Sequence, residues 1–164
     1  MIVCNVTSTT CMTRITLPKM LASPLPPAGV HRHIVNVSSF AGRIPFPYFS
    51  VYAGTKAFIH HFTQSLAGEL VGTCVKVGNL MPGSVITAMN FDKHPGFFAP
   101  YPSDFAFSAL SMLGVASESC GYFGHELQLT VALAQPEWLR TAAISRYMLI
   151  VRDRFYERQK SKDL

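Results

Sequence analysis

Ile34-Val-Asn-Val-Ser-Ser39, then Tyr52-Ala-Gly-Thr-Lys56, then Met81-Pro-Gly-Ser-Val-Ile-Thr87, are the segments whose reading decides the fold of this 164-residue chain. His33 to Val37 is a short apolar run rich in β-branched residues, the signature of a buried strand. Cys74 to Leu80 has the same character. Between them, Tyr48 to Leu70 carries Phe58, Phe62, Leu66 and Leu70 at a spacing of four, which predicts a helix with one apolar stripe. Two strands separated by a helix predict parallel pairing. Parallel strands end on one rim, so Ser39 and Pro82-Gly83 fall where such sheets place their ligands.

Outward from this centre, Asn5 to Leu21 reads as a helix with Met12, Ile15, Leu17 and Met20 as its stripe and Pro18 near its end. Ser23 to Gly29 is a proline-rich loop. Pro82 to Pro102 is a long loop with an aromatic group, Phe91, Phe97 and Phe98, and loops of that length are usually functional. Ser103 is placed to cap a helix from Asp104 to Leu113. Gly121 to Leu127 is expected to be a third strand, and Glu137 to about Lys160 a final helix. The alternation predicts an α/β fold with a parallel sheet. No glycine precedes Gly29, so the glycine-rich turn of a nucleotide-binding half is missing from residues 1–28.

Composition narrows the classes. Apolar residues make up 49% and charged ones 14%, which argues against a disordered chain. The net charge is +5, and from Trp138 to Leu164 seven Arg or Lys face three acids, so the excess sits in the tail. Such a tail is either a solvated helix or a contact with an anionic membrane surface. No basic stripe crosses the rest, so nucleic acid is not expected. Cys4, Cys11, Cys74 and Cys120 lack paired spacing and read as free thiols of a reducing compartment. No signal peptide or membrane span is expected, and the sequons at Asn5 and Asn36 are discounted. His31, His33, His60 and His61 lack acidic or thiol partners at ligand spacing, so no metal is expected.

Tyr52 and Lys56 share a helix face one turn apart. At roughly 5–6 Å and an effective dielectric of about 20, an ammonium favours a phenolate by about 3 kcal/mol. That equals about two pKa units, useful for donating a proton near neutral pH. A serine hydroxyl at a strand tip, thirteen residues before the tyrosine, offers a second hydrogen bond to the same substrate oxygen. A lone Y-x-x-x-K is a weak signal. With Ser39 and the Pro-Gly-x-Val-x-Thr segment after the next strand it becomes a strong one, against the alternative of a core tyrosine, an exposed lysine and a turn serine.

These segments together resemble the second half of a short-chain dehydrogenase/reductase, which implies the C-terminal half of a doubly wound, Rossmann-like parallel sheet with the N-terminal nucleotide-binding half missing. The resemblance implies that Tyr52 is the general acid, that Ser39 orients the carbonyl, and that Lys56 lowers the tyrosine pKa and binds the nicotinamide ribose. It implies that Asn5 supports a proton-relay water, and that Tyr52, Lys56, Pro82, Gly83, Val85 and Thr87 form the near side of an NADP(H) site. Met89, Phe91, Phe97 and Phe98 are then the substrate loop. Met12-Thr-Arg-Ile-Thr-Leu-Pro-Lys-Met20, the Tyr52 segment, Ala109-Leu-Ser-Met-Leu-Gly114 and Gly121-Tyr-Phe-Gly-His125 are similar to the microsomal 17-beta-hydroxysteroid dehydrogenase and very-long-chain 3-oxoacyl-CoA reductase group. That likeness implies an apolar ketone or acyl-CoA substrate and the cytosolic face of the endoplasmic reticulum membrane, with the cytoplasm as alternative. Lys160 and Lys162 match a dilysine retrieval signal, or a frayed polar tail. Residues 1–150 would be a partial catalytic domain and 151–164 a basic tail. Without its first half the chain is expected to be inactive alone, or a non-catalytic partner of full-length subunits. The 48–70 helix is the surface for a homodimer, its apolar stripe otherwise being core.

Overall fold

A computed structural model describes residues 1–87 and 94–160. Met89 and Phe91 of the expected substrate loop lie outside the described residues, as does Lys162. Three parallel strands, β1 (Arg32–Val37), β2 (Val75–Leu80) and β3 (Glu118–Ser119), stand in the order β1-β2-β3. Around them run α1 (Ser8–Ala22), α2 (Ser50–Glu69), α3 (Pro102–Ser111), α4 (Phe123–Ala134) and α5 (Glu137–Lys160). A π-helical turn, Val3–Thr7, leads into α1. Such turns shift the backbone register by one residue and often mark functional positions.

Register explains which side chains reach the core. Arg32 pairs with Val75 and Val37 with Leu80, so the odd residues of β2 point together. Val75 and Val77 are 0% and 4% exposed, and they pack with Leu66 of α2 and with Leu70 just past its end. Leu17 and Met20 of α1, Ile34 and Phe62 close over this cluster. Each buried branched side chain contributes about 1.5–3 kcal/mol. The aromatic and aliphatic stripe read along α2 is therefore core from Phe62 to Leu70, while Phe58 remains 38% exposed. A second cluster, Ile44, Met81, Cys120 and Leu129, joins the loop after β1 to α4, with Ile144 of α5 against it.

Two expectations need correction. The third strand is not Gly121–Leu127: β3 is Glu118–Ser119, and Phe123 onward is helix α4. Gly121 adopts φ 72°, and a Cβ there would stand 2.6 Å from Leu80, so the glycine turns the chain out of the sheet. A short apolar run does not distinguish strand from helix by its own period. Ser103 does not cap α3 either: Tyr101 is the capping residue and Pro102 opens the first turn, where its fixed φ suits a helix start. Among the described residues no helix is long and apolar enough to cross a membrane.

Candidate active site

Because β1 and β2 are parallel, the segments that leave them meet on one rim. Ser38 N–H donates to the Leu80 carbonyl at 2.7 Å, and Phe40 N–H to the Pro82 carbonyl at 3.3 Å. This sets the Ser39 and Pro82-Gly83 segments side by side. Ser39 is extended, with φ −170° and ψ 168°, and caps the 3-10 turn Phe40–Gly42. Its Oγ accepts the Ala41 N–H at 3.3 Å, which leaves the serine's own proton available to another acceptor.

Helix α2 abuts this turn through Gly42, where an added Cβ would stand 2.7 Å from the Lys56 carbonyl oxygen. Ser38 Oγ donates to that same carbonyl at 2.8 Å. Lys56 Nζ in turn donates to the Val37 carbonyl at 3.0 Å. The lysine is thus tethered to the strand that carries Ser39, and its Nζ lies 5.7 Å from the centre of the Tyr52 ring. Burial pushes the Lys56 pKa below the ordinary lysine range, and the nearby Cys4 acts in the opposite direction. Tyr52 is half-buried and meets Phe49 edge-on, with ring centres 6.4 Å apart.

Asn5, in the π-helical turn, reaches the same helix. Its Nδ2 donates to Thr55 Oγ1 at 2.9 Å, and that hydroxyl donates to the Tyr52 carbonyl at 2.8 Å. Asn5 is therefore joined through Thr55 to the backbone of Tyr52, while Lys56 is held separately by the Val37 carbonyl. Val85 is half-buried and Thr87 exposed in the segment beyond Gly83, which Ile86 N–H ties to the Pro100 carbonyl at 3.1 Å. Phe97 and Phe98 are 53% and 45% exposed and pack edge-to-face at 4.9 Å.

Three participants escaped the sequence reading. His125 is 0% exposed, and its Nε2–H donates to the Ser84 carbonyl at 3.0 Å. Its ring stands edge-on to Phe40 at 5.8 Å, and a Cβ on Gly83 would fall 2.9 Å from it. Burial holds its pKa below the ordinary histidine range, opposed by the carbonyls of Ser84, Phe98 and Cys120. Gly-Tyr-Phe-Gly-His was visible as a motif, but nothing local marked the histidine as a brace for the Pro82–Ser84 segment. Tyr48, four residues before Tyr52, adopts φ 67°, an uncommon conformation for a bulky residue, and the Arg152 guanidinium stands 5.6 Å from its ring centre. Glu118 pairs with Arg43, accepts from Gln64 at 3.0 Å and lies 3.7 Å from His60, binding β3 to the loop after Ser39.

The short chain dehydrogenase family model matches residues 1–96. The very-long-chain 3-oxoacyl-CoA reductase of Bos taurus is 34% identical over 139 residues, 85% of this chain and 43% of that protein. A putative steroid dehydrogenase 2 of Caenorhabditis elegans is 29% identical over 163 residues, 99% of this chain and 50% of that one. Among solved structures, a short chain dehydrogenase from Burkholderia cenocepacia in complex with NADP superposes with a TM-score of 0.64 at 25% identity, covering 85% of this chain and 55% of that one. The chain spans about half the length of the curated relatives it matches. The strand order, the rim at Ser39 and Pro82-Gly83, and the family match over 96 residues agree: this chain belongs to the short-chain dehydrogenase family.

Proposed function

We propose that this chain carries the proton-transfer side of an NADP(H)-dependent reductase acting on the ketone of an apolar substrate, a 3-oxoacyl-CoA or a keto-steroid. The observation that supports it best is Lys56, tethered to the Val37 carbonyl with its Nζ 5.7 Å from the Tyr52 ring, beneath the strand tip that presents Ser39. In this reading Tyr52 donates its phenolic proton to the substrate carbonyl oxygen. Ser39, whose Oγ already accepts from Ala41 N–H, donates its own proton to that oxygen and stabilises charge as it develops. Lys56 favours the phenolate left behind. Asn5 holds the N-terminal turn against α2 through Thr55.

Lys56, Tyr52 and the segment Pro82, Gly83, Val85 and Thr87 fit the nicotinamide end of NADP(H), being a cationic donor, a hydroxyl and a close-packed backbone along one rim. No glycine-rich turn occurs among residues 1–28 to hold the pyrophosphate. When bound, the cofactor would supply the hydride. Phe97 and Phe98 would cover the apolar substrate. Arg152 and Arg154 beside the exposed Phe155 and Tyr156 on α5 favour contact with an anionic membrane surface, consistent with the cytosolic face of the endoplasmic reticulum.

The test is NADPH consumption by the 164-residue chain with a long-chain 3-oxoacyl-CoA and with a keto-steroid. Tyr52→Phe is expected to lower turnover by about 10²-fold or more. Turnover that survives this substitution removes Tyr52 as the acid. A chain that binds no NADPH at all supports the second reading, a non-catalytic partner that packs on full-length subunits. The exposed Val51 and Phe58 on α2 favour that surface.

A further inference from the structure

Asn79 and Glu118 are ladder partners in β2 and β3, so their side chains stand on one face of the sheet, the face toward α2. There they meet His60 of α2, which is 4% exposed. Asn79 Nδ2 donates to His60 Nδ1 at 2.7 Å, so that ring nitrogen carries no proton in this arrangement. Asn79 is 3% exposed, and its Oδ1 has no hydrogen-bond partner among the described residues. Glu118 Oε1 lies 3.7 Å from the same ring nitrogen.

The carboxylate has two further partners. Its Oε1 pairs with the Arg43 guanidinium, and its Oε2 accepts from Gln64 Nε2 of α2 at 3.0 Å. Arg43 closes the turn that follows Ser39. Its N–H donates to the Phe40 carbonyl at 2.9 Å, just as Gly42 N–H donates to the Ser39 carbonyl at 2.9 Å. Glu118 therefore ties the Ser39 turn to α2. A proton on His60 Nδ1 would set two donors against each other across 2.7 Å. Two changes relieve that conflict: the Asn79 amide turns over, which gives its orphaned Oδ1 a donor, and Glu118 closes on the imidazolium. The second draws the carboxylate from Arg43, because one oxygen faces both cations. Burial disfavours the proton most; Glu118 favours it, while Arg43 and the neighbouring His61 oppose it.

We propose that Glu118 is a positioning residue for Ser39, acting through Arg43, and that a proton on His60 releases its hold. The consequence for catalysis rests on the reductase reading above. The coupling does not, because it is a property of the folded chain without cofactor. The bland alternative is a static polar cluster that only joins β3 to α2.

The test is a nuclear magnetic resonance titration of the 164-residue chain from about pH 7.5 to about pH 5, a window that spans the ordinary histidine value. At its upper end His60 is expected as the Nε2–H tautomer. As the ring protonates, the Asn79 side-chain amide and the backbone amides of Ala41 and Gly42 should shift with the same midpoint. Glu118→Gln should lower the His60 midpoint and Arg43→Met should raise it. His60→Gln should abolish the shifts at Ala41 and Gly42. An Nδ1–H tautomer near neutrality, or turn amides that stay still while His60 titrates, overturns the proposal, and neither observation needs a variant to fold. A shift that survives His60→Gln also overturns it, since it would belong to His125, whose ring stands against Phe40. Coupled titration without NADPH turnover would leave the switch standing and sink the reductase reading. Turnover with still turn amides would do the reverse.

Discussion

A Cβ added to Gly42 would stand 2.5 Å from Ser38 Oγ as well as 2.7 Å from the Lys56 carbonyl oxygen, so this glycine is required for the turn after Ser39 to lie against α2. Neither neighbour can yield cheaply: one is backbone, and the other is held by its own hydrogen bond to that backbone. Gly42→Ala is expected to cost about 1–3 kcal/mol, read as a lower urea midpoint with an unchanged slope. In a chain with turnover it should also reduce kcat, because the Ser39 turn must shift. An unchanged midpoint would mean that the turn and α2 are not in close contact. The sequence showed Gly42 only as one residue of a loop, since its role depends on Lys56, fourteen residues away.

Helices α2 and α4 are each joined to the sheet region by a buried histidine. Asn79 Nδ2 of β2 donates to His60 Nδ1 of α2 at 2.7 Å, and His125 of α4 holds the segment after β2. Burial depresses both pKa values; for His60, Glu118 opposes this while Arg43 and His61 add to it. A histidine whose folded pKa is depressed stabilises the fold fully above its unfolded value, about 6.5, and the contribution is lost as pH falls. The melting temperature is therefore expected to hold near neutrality and to drop as pH is lowered from about 6.5 toward 5.5. A circular-dichroism melt that is flat across this window would contradict the burial of both rings. His125→Gln should lessen the slope. These couplings explain why α4 was misread: Gly121 to Leu127 is apolar enough for a strand, and only the positive φ of Gly121 and the packing of His125 make it a helix.

Over the whole molecule, β1 is one of the two edge strands of the sheet among the described residues. Arg32 N–H and Ser38 N–H both point to β2, so the alternate residues His33, Val35 and Val37 direct their backbone groups away from it. Val35 and Val37 are 37% and 50% exposed, and Lys56 already engages the Val37 carbonyl. Uncovered apolar edges promote pairing between chains. The 164-residue chain is expected to self-associate, and Val35→Lys to reduce light scattering while changing stability by no more than about 0.5 kcal/mol. Undiminished scattering would point instead to the exposed face of α2 as the surface of association.

Period and spacing along the chain determined much: the two main strands, the long helix between them, their parallel sense, and the placing of Ser39 and Pro82-Gly83 just past adjacent strand ends. These follow from local patterns, a repeat of two in strands and of about 3.6 in helices, which need no knowledge of distant neighbours. Tertiary structure alone decided that Lys56 is tethered to Val37, that His125 braces Ser84, that Arg152 covers Tyr48, and that Glu118 joins Arg43 to α2. Each joins elements far apart in sequence, and no periodicity within one element encodes the partner on another.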